Sequence, residues 1–238
     1  MPEKTFEEKL QRVEDFQQIQ NIMGRYPYYI MAGKATEYMT KMFAKKAPDI
    51  RVYLGEQGYR EGPDAPYRGM PNPLGPDAKP QTARVGSLII HAPICPVIEV
   101  AGDGQTAKGV WIGLGLIGEK RRETGEPEGI WEWDKYGVDF IKEDNEWKIW
   151  RHHIYRLLHQ WGVDEKWPEQ FDKPDEGTMM PRPSAGGPGG PRSSGPGSGP
   201  PKFDGPAVDD NPYRPDTVQR LVPKPPEPYE TWTDTFMY

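Results

Sequence analysis

The stretch YGVDFIKEDNEWKIWRHHIY, residues 136–155, contains two segments rich in β-branched and aromatic residues on either side of a polar turn. Such segments are typical of β-strands, because these side chains pack well on a pleated surface. The polar residues 143–145 between them are typical of a tight turn. The stretch therefore predicts two antiparallel strands, and it places His152 and His153 on the second one.

Segments on the N-terminal side of this hairpin continue the strand pattern. Residues 50–54 and 87–118 are also rich in strand-forming residues, and the second of these segments contains a Gly-Asp-Gly turn at 102–104. The sequence therefore predicts at least one further hairpin and a sheet built mainly from antiparallel neighbours.

Helical patterns precede the strands. Residues 5–23 carry apolar side chains every three or four positions, and residues 38–43 show a shorter pattern of the same kind. Pro27 predicts a kink or a break in the first helix near Arg25 and Tyr26, because its ring displaces a hydrogen-bonded turn. Helices followed by hairpin-connected strands indicate an α+β fold, in which a conical, curved antiparallel sheet is closed by N-terminal helices.

Composition and charge limit the functions that are open to the chain. Its 238 residues carry a formal net charge of -6, which disfavours a large basic surface for nucleic acid. Its single cysteine, Cys95, cannot form an internal disulfide, and no N-terminal apolar run resembles a signal peptide. No apolar run approaches the roughly 18 residues that span a bilayer. We therefore expect a cytoplasmic protein without nucleic-acid or membrane partners.

The C-terminal third of the chain has a different composition. SAGGPGGPRSSGPGSGPP, residues 184–201, cannot bury enough apolar surface to offset its ordering entropy. We predict a folded domain at 1–165, a Pro/Gly-rich flexible linker at 166–205 and an extended docking arm at 206–238. Aromatic residues in the arm suggest that it lies on this subunit or on a neighbouring one, although an undocked tail is the alternative.

Residues 6–155 resemble the SnoaL-like branch of the nuclear transport factor 2-like superfamily. The segments that carry the resemblance are EDFQQIQNIMGRYPYYIMAGK, DIRVYLGEQGYREG, HAPICPVIEVAGDGQTAKGVW and YGVDFIKEDNEWKIWRHH, in this order. The resemblance implies a cystatin-like cone with an apolar pocket, chemistry without a cofactor, and assembly into dimers or trimers. Its members include scytalone dehydratase, ketosteroid isomerase and a diarylpropane lyase that releases formaldehyde, so the resemblance alone selects no single activity.

His91 is the first candidate for proton transfer. It lies in SLIIHAP, where apolar neighbours favour a neutral imidazole that can exchange a proton near neutral pH. Its position also matches the hairpin histidine that the resemblance implies for the dehydratases of this superfamily. The alternative is a buried histidine that is merely hydrogen-bonded within the core.

The pair His152 and His153 poses a question of strand parity. Adjacent residues of a regular strand face opposite sides, so the two cannot jointly bind one metal ion, and we predict no metal site. One face holds Trp147, Ile149, Arg151 and His153, and the other holds Lys148, Trp150 and His152. Because Lys148 indicates an outward face, we place Arg151 and His153 in the pocket as catalytic residues, although a bulge would change this assignment. Both residues can instead pair with carboxylates at the rim.

Tyrosines are the second group of candidates. The resemblance places Tyr26 at the helix tyrosine of the family, and it places Tyr53 on the first strand, where a substrate-binding tyrosine is found. Phenol hydroxyls can donate to a carbonyl or a leaving oxygen inside an apolar cavity, so we predict that both are catalytic. Tyr28 and Tyr29 compete for the same role, and packing is the alternative for all of them.

Further residues are predicted to line the substrate site. Met31 occupies the position at which the resemblance implies a general-base aspartate, so the base needs another source. Tyr136 and Asp139 have opposite strand parity, and one of them is expected to face inward. The predicted substrate-binding residues are Tyr29, Met31, Trp111, Tyr136 and Asp139. Glu99 and Glu132 are further carboxylates, for which a solvated strand face is the expected state.

These residues suit proton transfer and charge stabilisation. GDGQTAKG lacks the strand-to-helix context of a phosphate-binding loop. We therefore predict a cofactor-independent lyase that eliminates water, or formaldehyde after C–C cleavage, from a hydroxylated aromatic small molecule. A double-bond isomerase and a non-catalytic binding module are the alternatives. The proline-rich insertion at 62–80 is predicted to cover the mouth of the cone.

Overall fold

The computed structural model describes residues 4–54, 58–69, 88–120, 125–161, 203–213 and 218–234. The helices are α1 (Phe6–Met31), α2 (Ala35–Met42) and α3 (Ala65–Gly69). The strands are β1 (Arg51–Leu54), β2 (Tyr59–Glu61), β3 (Leu88–Val100), β4 (Thr106–Lys120), β5 (Pro127–Glu143) and β6 (Glu146–Trp161). In the described ranges, no helix combines the length and the apolar character that a membrane span requires.

Helix α1 begins at a capping box. The Thr5 side chain accepts a hydrogen bond from the backbone N–H of Glu8, and the Glu8 carboxylate accepts one from the backbone N–H of Thr5. Of the kink or break predicted near Pro27, the break is wrong, because α1 continues through the proline to Met31. Tyr26 and Ile30 on either side are buried in the core, so packing keeps this segment helical despite the proline.

The six strands form one curved, unclosed sheet in the order β2-β1-β6-β5-β4-β3. Strands β3 to β6 pair with antiparallel neighbours through long hairpins, whereas β1 pairs with β6 in parallel. The N-terminal helices and the curved sheet confirm the α+β prediction. Its antiparallel description needs one correction at the β1–β6 pair, which hairpin patterns in the sequence do not reveal.

The sheet has two different faces. The inner face packs against α1 and α2 and carries the main core, with Trp111, Val138 and Phe140 among its buried residues. The outer face is covered by the C-terminal arm, which we define as the described residues 203–213 and 218–234. Every residue of the candidate site can be assigned to one of these two faces.

A bulge in β6 decides which residues face inward. Asp139 pairs with Arg151 and Phe140 pairs with Ile149, which leaves Trp150 as the extra residue. Trp150 and Arg151 therefore both contact the outer side, and His152 faces inward beside Tyr26. The prediction that Arg151 and His153 face the pocket is wrong, because it assumed a regular alternation along the strand.

The arm lies on the sheet of its own chain. Gly205 forms a bridge with Tyr59 on β2, and the backbone N–H of Tyr213 donates to the carbonyl of Leu157 on β6. Trp232 packs on Trp150, with ring centroids 4.5 Å apart. Residues 162–202, which contain most of the predicted linker, lie outside the described residues, so the domain boundaries stay predictions.

The predicted lid is described only in part. Residues 65–69 form the short helix α3, and residues 70–80 of the insertion lie outside the described part. A covering role for this insertion therefore stays a prediction.

Candidate active site

Three titratable side chains meet on the inner face of the sheet. His91 on β3 lies between Glu132 and Asp134 on β5. Its Nε2 is 3.3 Å from a Glu132 carboxylate oxygen, and its Nδ1 is 4.0 Å from an Asp134 carboxylate oxygen. His91 and Asp134 are buried, whereas 15% of the Glu132 side chain is exposed. We call these three residues the His91 cluster.

Glycines on β4 make this contact possible. Gly115 pairs with His91 on one side and with Glu132 on the other, so it separates the two functional strands at this level. A Cβ atom at Gly115 would lie 3.2 Å from His91 Nδ1 and would clash with the backbone oxygen of Glu132. Without a side chain at this position, the imidazole and the carboxylate can approach each other across the central strand.

Tyr26 of α1 lies over the cluster. Its ring centroid is 6.4 Å from that of His91 and 6.2 Å from that of Tyr136. Burial, followed by the charges of Asp134 and Glu132, raises the pKa of Tyr26 far above its ordinary value. Tyr26 therefore keeps its proton and acts as a hydrogen-bond donor rather than as a phenolate.

Tyr136 of β5 is the second inward tyrosine. Burial raises the pKa of its phenol well above the ordinary value. Its hydroxyl is buried and makes no hydrogen bond among the described residues. A buried polar group is normally paired, so this hydroxyl retains hydrogen-bonding capacity for a bound molecule.

His152 completes the inward polar group. It is fully buried, and its ring lies 6.3 Å from Tyr26 and 5.6 Å from Tyr136 between centroids. Burial, and to a lesser degree His153, lowers the pKa of His152 to about 3, so its imidazole is neutral at physiological pH. Within the described part of the chain, neither ring nitrogen has a hydrogen-bond partner. We call Tyr26, Tyr136, His152 and the His91 cluster the inner polar group.

Three predicted catalytic residues lie together on the opposite face. Tyr53 stacks on His153 at 4.9 Å, and His153 Nε2 is 3.0 Å from a carboxylate oxygen of Asp210 in the arm. Arg151 donates to Asp49 and to Asp234. Burial lowers the pKa of His153, and the Asp210 carboxylate opposes this change. The structure therefore places Tyr53, Arg151 and His153 away from His91, beneath the arm.

The predicted substrate-binding residues divide in the same way. Of the pair Tyr136 and Asp139, from which one was expected to face inward, Tyr136 does so. Asp139 faces outward and accepts a hydrogen bond from Trp232 Nε1 at 3.2 Å. Trp111 is buried in the core, with its ring 6.1 Å from Phe140. The remaining two lie on α1.

Neither of these α1 residues joins the inner polar group. Tyr29 packs against Tyr38 with ring centroids 5.8 Å apart, and Met31 is 42% exposed at the end of the helix. The helix position that lacks a base therefore stays without one, and the carboxylates of the site come from β5.

Part of this site was not predicted from the sequence. Glu132 was expected on a solvated face, Asp134 was not identified, and His152 was assigned outward. The available signal was the period-two spacing of Glu132, Asp134 and Tyr136, which places all three side chains on one face of β5. Recognising Tyr136 as inward is sufficient to identify both carboxylates.

The His91 cluster also has the donor types of a metal site. One imidazole nitrogen and two carboxylate oxygens lie within 4.8 Å of one another. Such donors bind divalent ions in many proteins. If an ion binds to the described part of this chain, these are the residues that can hold it, and a chelator control is needed in any assay.

Comparison with solved structures finds similar proteins at low sequence identity. A candidate scytalone dehydratase from Novosphingobium aromaticivorans DSM 12444 shares 16% identity, with a TM-score of 0.48 over 64% of this chain and 90% of that chain. The hexachlorocyclohexane dehydrochlorinase LinA-type3 from Novosphingobium barchaimii LL02 shares 14%, with a TM-score of 0.48 over 67% and 97%.

A nuclear transport factor 2-like protein with a cystatin-like fold from Novosphingobium aromaticivorans shares 17% identity, with a TM-score of 0.43 over 63% of this chain and 86% of that one. No curated protein matches the chain. The model of the SnoaL-like domain family matches residues 11–153, which is more than half of the sequence. The resemblance inferred from the sequence is confirmed, and the chain belongs to the SnoaL-like family.

Proposed function

We propose that the protein is a cofactor-independent lyase that acts on a hydroxylated, aromatic small molecule by acid–base elimination. The observation that carries the proposal is the His91 cluster, a buried imidazole between two carboxylates beside two protonated tyrosines. The SnoaL-like fold is one that supports modification of small molecules without a cofactor, which is consistent with this chemistry.

His91 is the proposed general base. A carboxylate beside an imidazole fixes its tautomer and stabilises the imidazolium that forms when it accepts a proton. Asp134 and Glu132 lie on opposite sides of the ring, at its Nδ1 and Nε2 respectively. Their contacts supply the acidic partners that Met31 cannot provide, so the missing helix aspartate does not exclude proton abstraction.

Tyr26 and Tyr136 are the proposed hydrogen-bond donors. Burial keeps both phenols protonated, so each can donate to a carbonyl, a phenolic oxygen or a departing hydroxyl of the substrate. In the elimination, His91 takes a proton from carbon and the C–O bond breaks. The departing hydroxyl then takes a proton from the His91 imidazolium, so water leaves and the neutral imidazole is restored. His152, which stays neutral, can donate from one ring nitrogen or accept at the other.

The aromatic character of the substrate is supported by the side chains around the cluster. The rings of Tyr26, Tyr136 and His152 lie within 6.3 Å of one another between centroids. Aromatic walls with a few polar atoms suit a phenolic ring, because edge-to-face contacts add to apolar burial. The most specific form of the proposal is a diarylpropane-type substrate, with loss of water followed by formaldehyde.

The test is incubation of the full chain with a panel of phenolic alcohols that includes diarylpropane diols, with products identified by mass spectrometry. The proposal expects loss of water or formaldehyde, abolished by His91→Gln and retained by the matched outer-face variant His153→Gln. Activity that survives a chelator supports the cofactor-free mechanism. A product of unchanged mass identifies an isomerase, and a bound but unchanged compound identifies a binding module; either result rejects the lyase.

A further inference from the structure

We propose that the C-terminal arm positions His152, because Trp232 and Asp234 hold the Trp150–Arg151 bulge that turns this histidine toward the inner polar group. Only the expected loss of turnover rests on the proposed function. The geometric part concerns how a distant segment of the chain determines which residue of β6 faces inward.

The bulge places two successive residues of β6 on the outer side. Trp147 and Ile149 belong to the inner core, and after the extra residue Trp150 the inward position passes to His152. A bulge of this kind bends its strand and redirects the following side chains. Without the extra residue, Trp150 would lie opposite Asp139 and Arg151 would lie opposite Val138, where His152 now lies, and His152 would turn to the outer face.

The arm contacts both residues of the bulge. The Trp232 ring packs on Trp150, and the Arg151 guanidinium lies 4.6 Å from the centroid of the Trp232 ring. Arg151 also donates to a carboxylate oxygen of Asp234 at 2.9 Å. Together these contacts bury a guanidinium and an indole on the outer side, which opposes their rotation toward the core.

The arm also holds the residue opposite the bulge. Trp232 Nε1 donates to Asp139, the β5 partner of Arg151. One residue further along, the carbonyl of Thr233 accepts a hydrogen bond from Lys108 on β4 at 2.9 Å. Trp232 and its neighbour therefore connect three adjacent strands at the level of the bulge, and they do so from the outer face alone.

The region before β1 contributes a second set of contacts. Trp150 Nε1 donates to the carbonyl of Pro48 at 2.7 Å, and Arg151 donates to Asp49. These contacts can retain the fold of β6 when the arm is altered. Because both sets of contacts hold the same two residues, loss of the arm contacts is expected to loosen the bulge without unfolding β6.

The experiment measures the protonation of His152 in the full-length, ¹⁵N-labelled protein by NMR of the imidazole nitrogens. The chain has four histidines, and His152→Gln assigns the signal. The titratable groups that face His152 are Tyr26 and Tyr136, and His153 is its neighbour in the chain. In the wild type, the His152 signals are expected to stay those of a neutral imidazole between about pH 5 and 8.

In Trp232→Ala, the His152 signals are expected to titrate within that range, because the ring gains access to water when the bulge relaxes. Trp232→Phe, which retains an aromatic ring against Trp150, is expected to restore the wild-type behaviour. The control is Asp204→Asn, which weakens an arm contact to Arg68 on the β2 side of the sheet, two strands from the bulge, and should leave His152 unchanged. If Trp232→Ala does not fold, Asp234→Asn replaces it with the same expectation.

If the His152 signals remain those of a neutral imidazole in both Trp232→Ala and Asp234→Asn, the inference is overturned, since the bulge would then be held without the arm. Titration in Asp204→Asn as well would also overturn it, because the effect would be general loosening. The proposed lyase activity fails separately, when wild-type protein converts no phenolic alcohol. If the activity is present, turnover should fall more than 10-fold in Trp232→Ala and recover in Trp232→Phe.

Discussion

The inner and outer faces of the sheet each present one of two adjacent histidines, and the two differ in their hydrogen bonds. On the outer face, His153 is stacked between Tyr53 and Tyr155, and its Nε2 is paired with Asp210 of the arm. On the inner face, neither ring nitrogen of His152 has a hydrogen-bond partner among the described residues. The hydroxyls of Tyr136 on the inner face and of Tyr155 on the outer face also lack a partner there.

This difference predicts different roles for the two histidines. The pair of His153 with Asp210 favours a role in docking the arm, because a group of the same chain occupies one of its ring nitrogens. A buried polar atom without a hydrogen bond lowers the stability of the folded state, and this cost is tolerated most readily where a ligand will bind that atom. We therefore expect His152 to serve ligand binding and His153 to serve docking.

The largest expected effect compares two aspartates on β5. Asp134→Asn removes the negative charge beside His91, so turnover is expected to fall by about 10²-fold or more. Asp139→Asn, on the outer face, keeps an oxygen for Trp232 and is expected to leave turnover within about 3-fold of the wild type. Steady-state kinetics with the substrate found in the panel provides the measurement.

Equal losses in the two variants would remove the distinction between the faces. Circular dichroism and a thermal melt of each variant serve as the control, since a change that merely unfolds the chain lowers both signals together. An unchanged rate in Asp134→Asn would leave Glu132 as the only carboxylate of the cluster with a catalytic role.

The next effect concerns the glycines that open the inner face. A Cβ atom at Gly113 would lie 2.6 Å from the Tyr136 ring, so Gly113→Ala is expected to destabilise the fold by about 1–3 kcal/mol through overpacking. Gly118→Ala is the matched control on the same strand, because its Cβ would meet only Leu88 at 3.6 Å. Urea denaturation monitored by tryptophan fluorescence measures both, and equal stability would show that Tyr136 can move aside freely.

These glycines also show what the sequence predicts well. The run VWIGLGLIG was recognised as a strand, and the helices, the hairpins and the α+β class followed from apolar spacing and turn residues. His91 and Tyr26 were predicted for the site, and Tyr136 was one of two alternatives; the three rings lie near one another, and their roles stay predictions. The spaces that Gly113 and Gly115 provide were not predicted, since a glycine in a strand does not indicate which ring will fill the gap.

The following prediction uses the pH dependence of stability. The pKa of His152 is about 3 in the folded protein and about 6.5 when unfolded, so acid favours the unfolded state, which binds the extra proton. Stability is therefore expected to fall as the pH decreases below about 6.5. At pH 5 the cost from this one residue is about 2 kcal/mol.

His152→Gln should remove this part of the acid sensitivity, because glutamine does not titrate. Urea denaturation of the wild type and of the variant at pH 7 and pH 5 measures the difference. A wild type and a variant that lose the same stability between these two values would indicate that His152 is accessible to water, which would place it outside the buried inner group.

The inward position of His152 also marks a limit of sequence analysis. Parity along β6 was predicted from Lys148, but one extra residue at Trp150 changes the face of the residues that follow, up to the second register shift at Leu157. Residues distant in the sequence contact this bulge: Trp232 and Asp234 from the arm, more than 80 positions away, and Pro48 and Asp49 from the region before β1. The pattern of residues within β6 does not indicate such contacts. For this reason the outward assignment of His152 was wrong.

The smallest expected effect tests the outer face. Asp210→Asn leaves one acceptor oxygen, which can serve His153 or the backbone N–H of Arg156 but not both. A loss of about 1 kcal/mol in the free energy of unfolding is therefore expected. Turnover should change little, since these groups lie away from His91. Urea denaturation measures the loss of stability, and steady-state kinetics measures the change in turnover. A loss of turnover that exceeds the loss of stability would show that docking of the arm at His153 is transmitted to the inner face, which would join the two sides of the sheet into one functional unit.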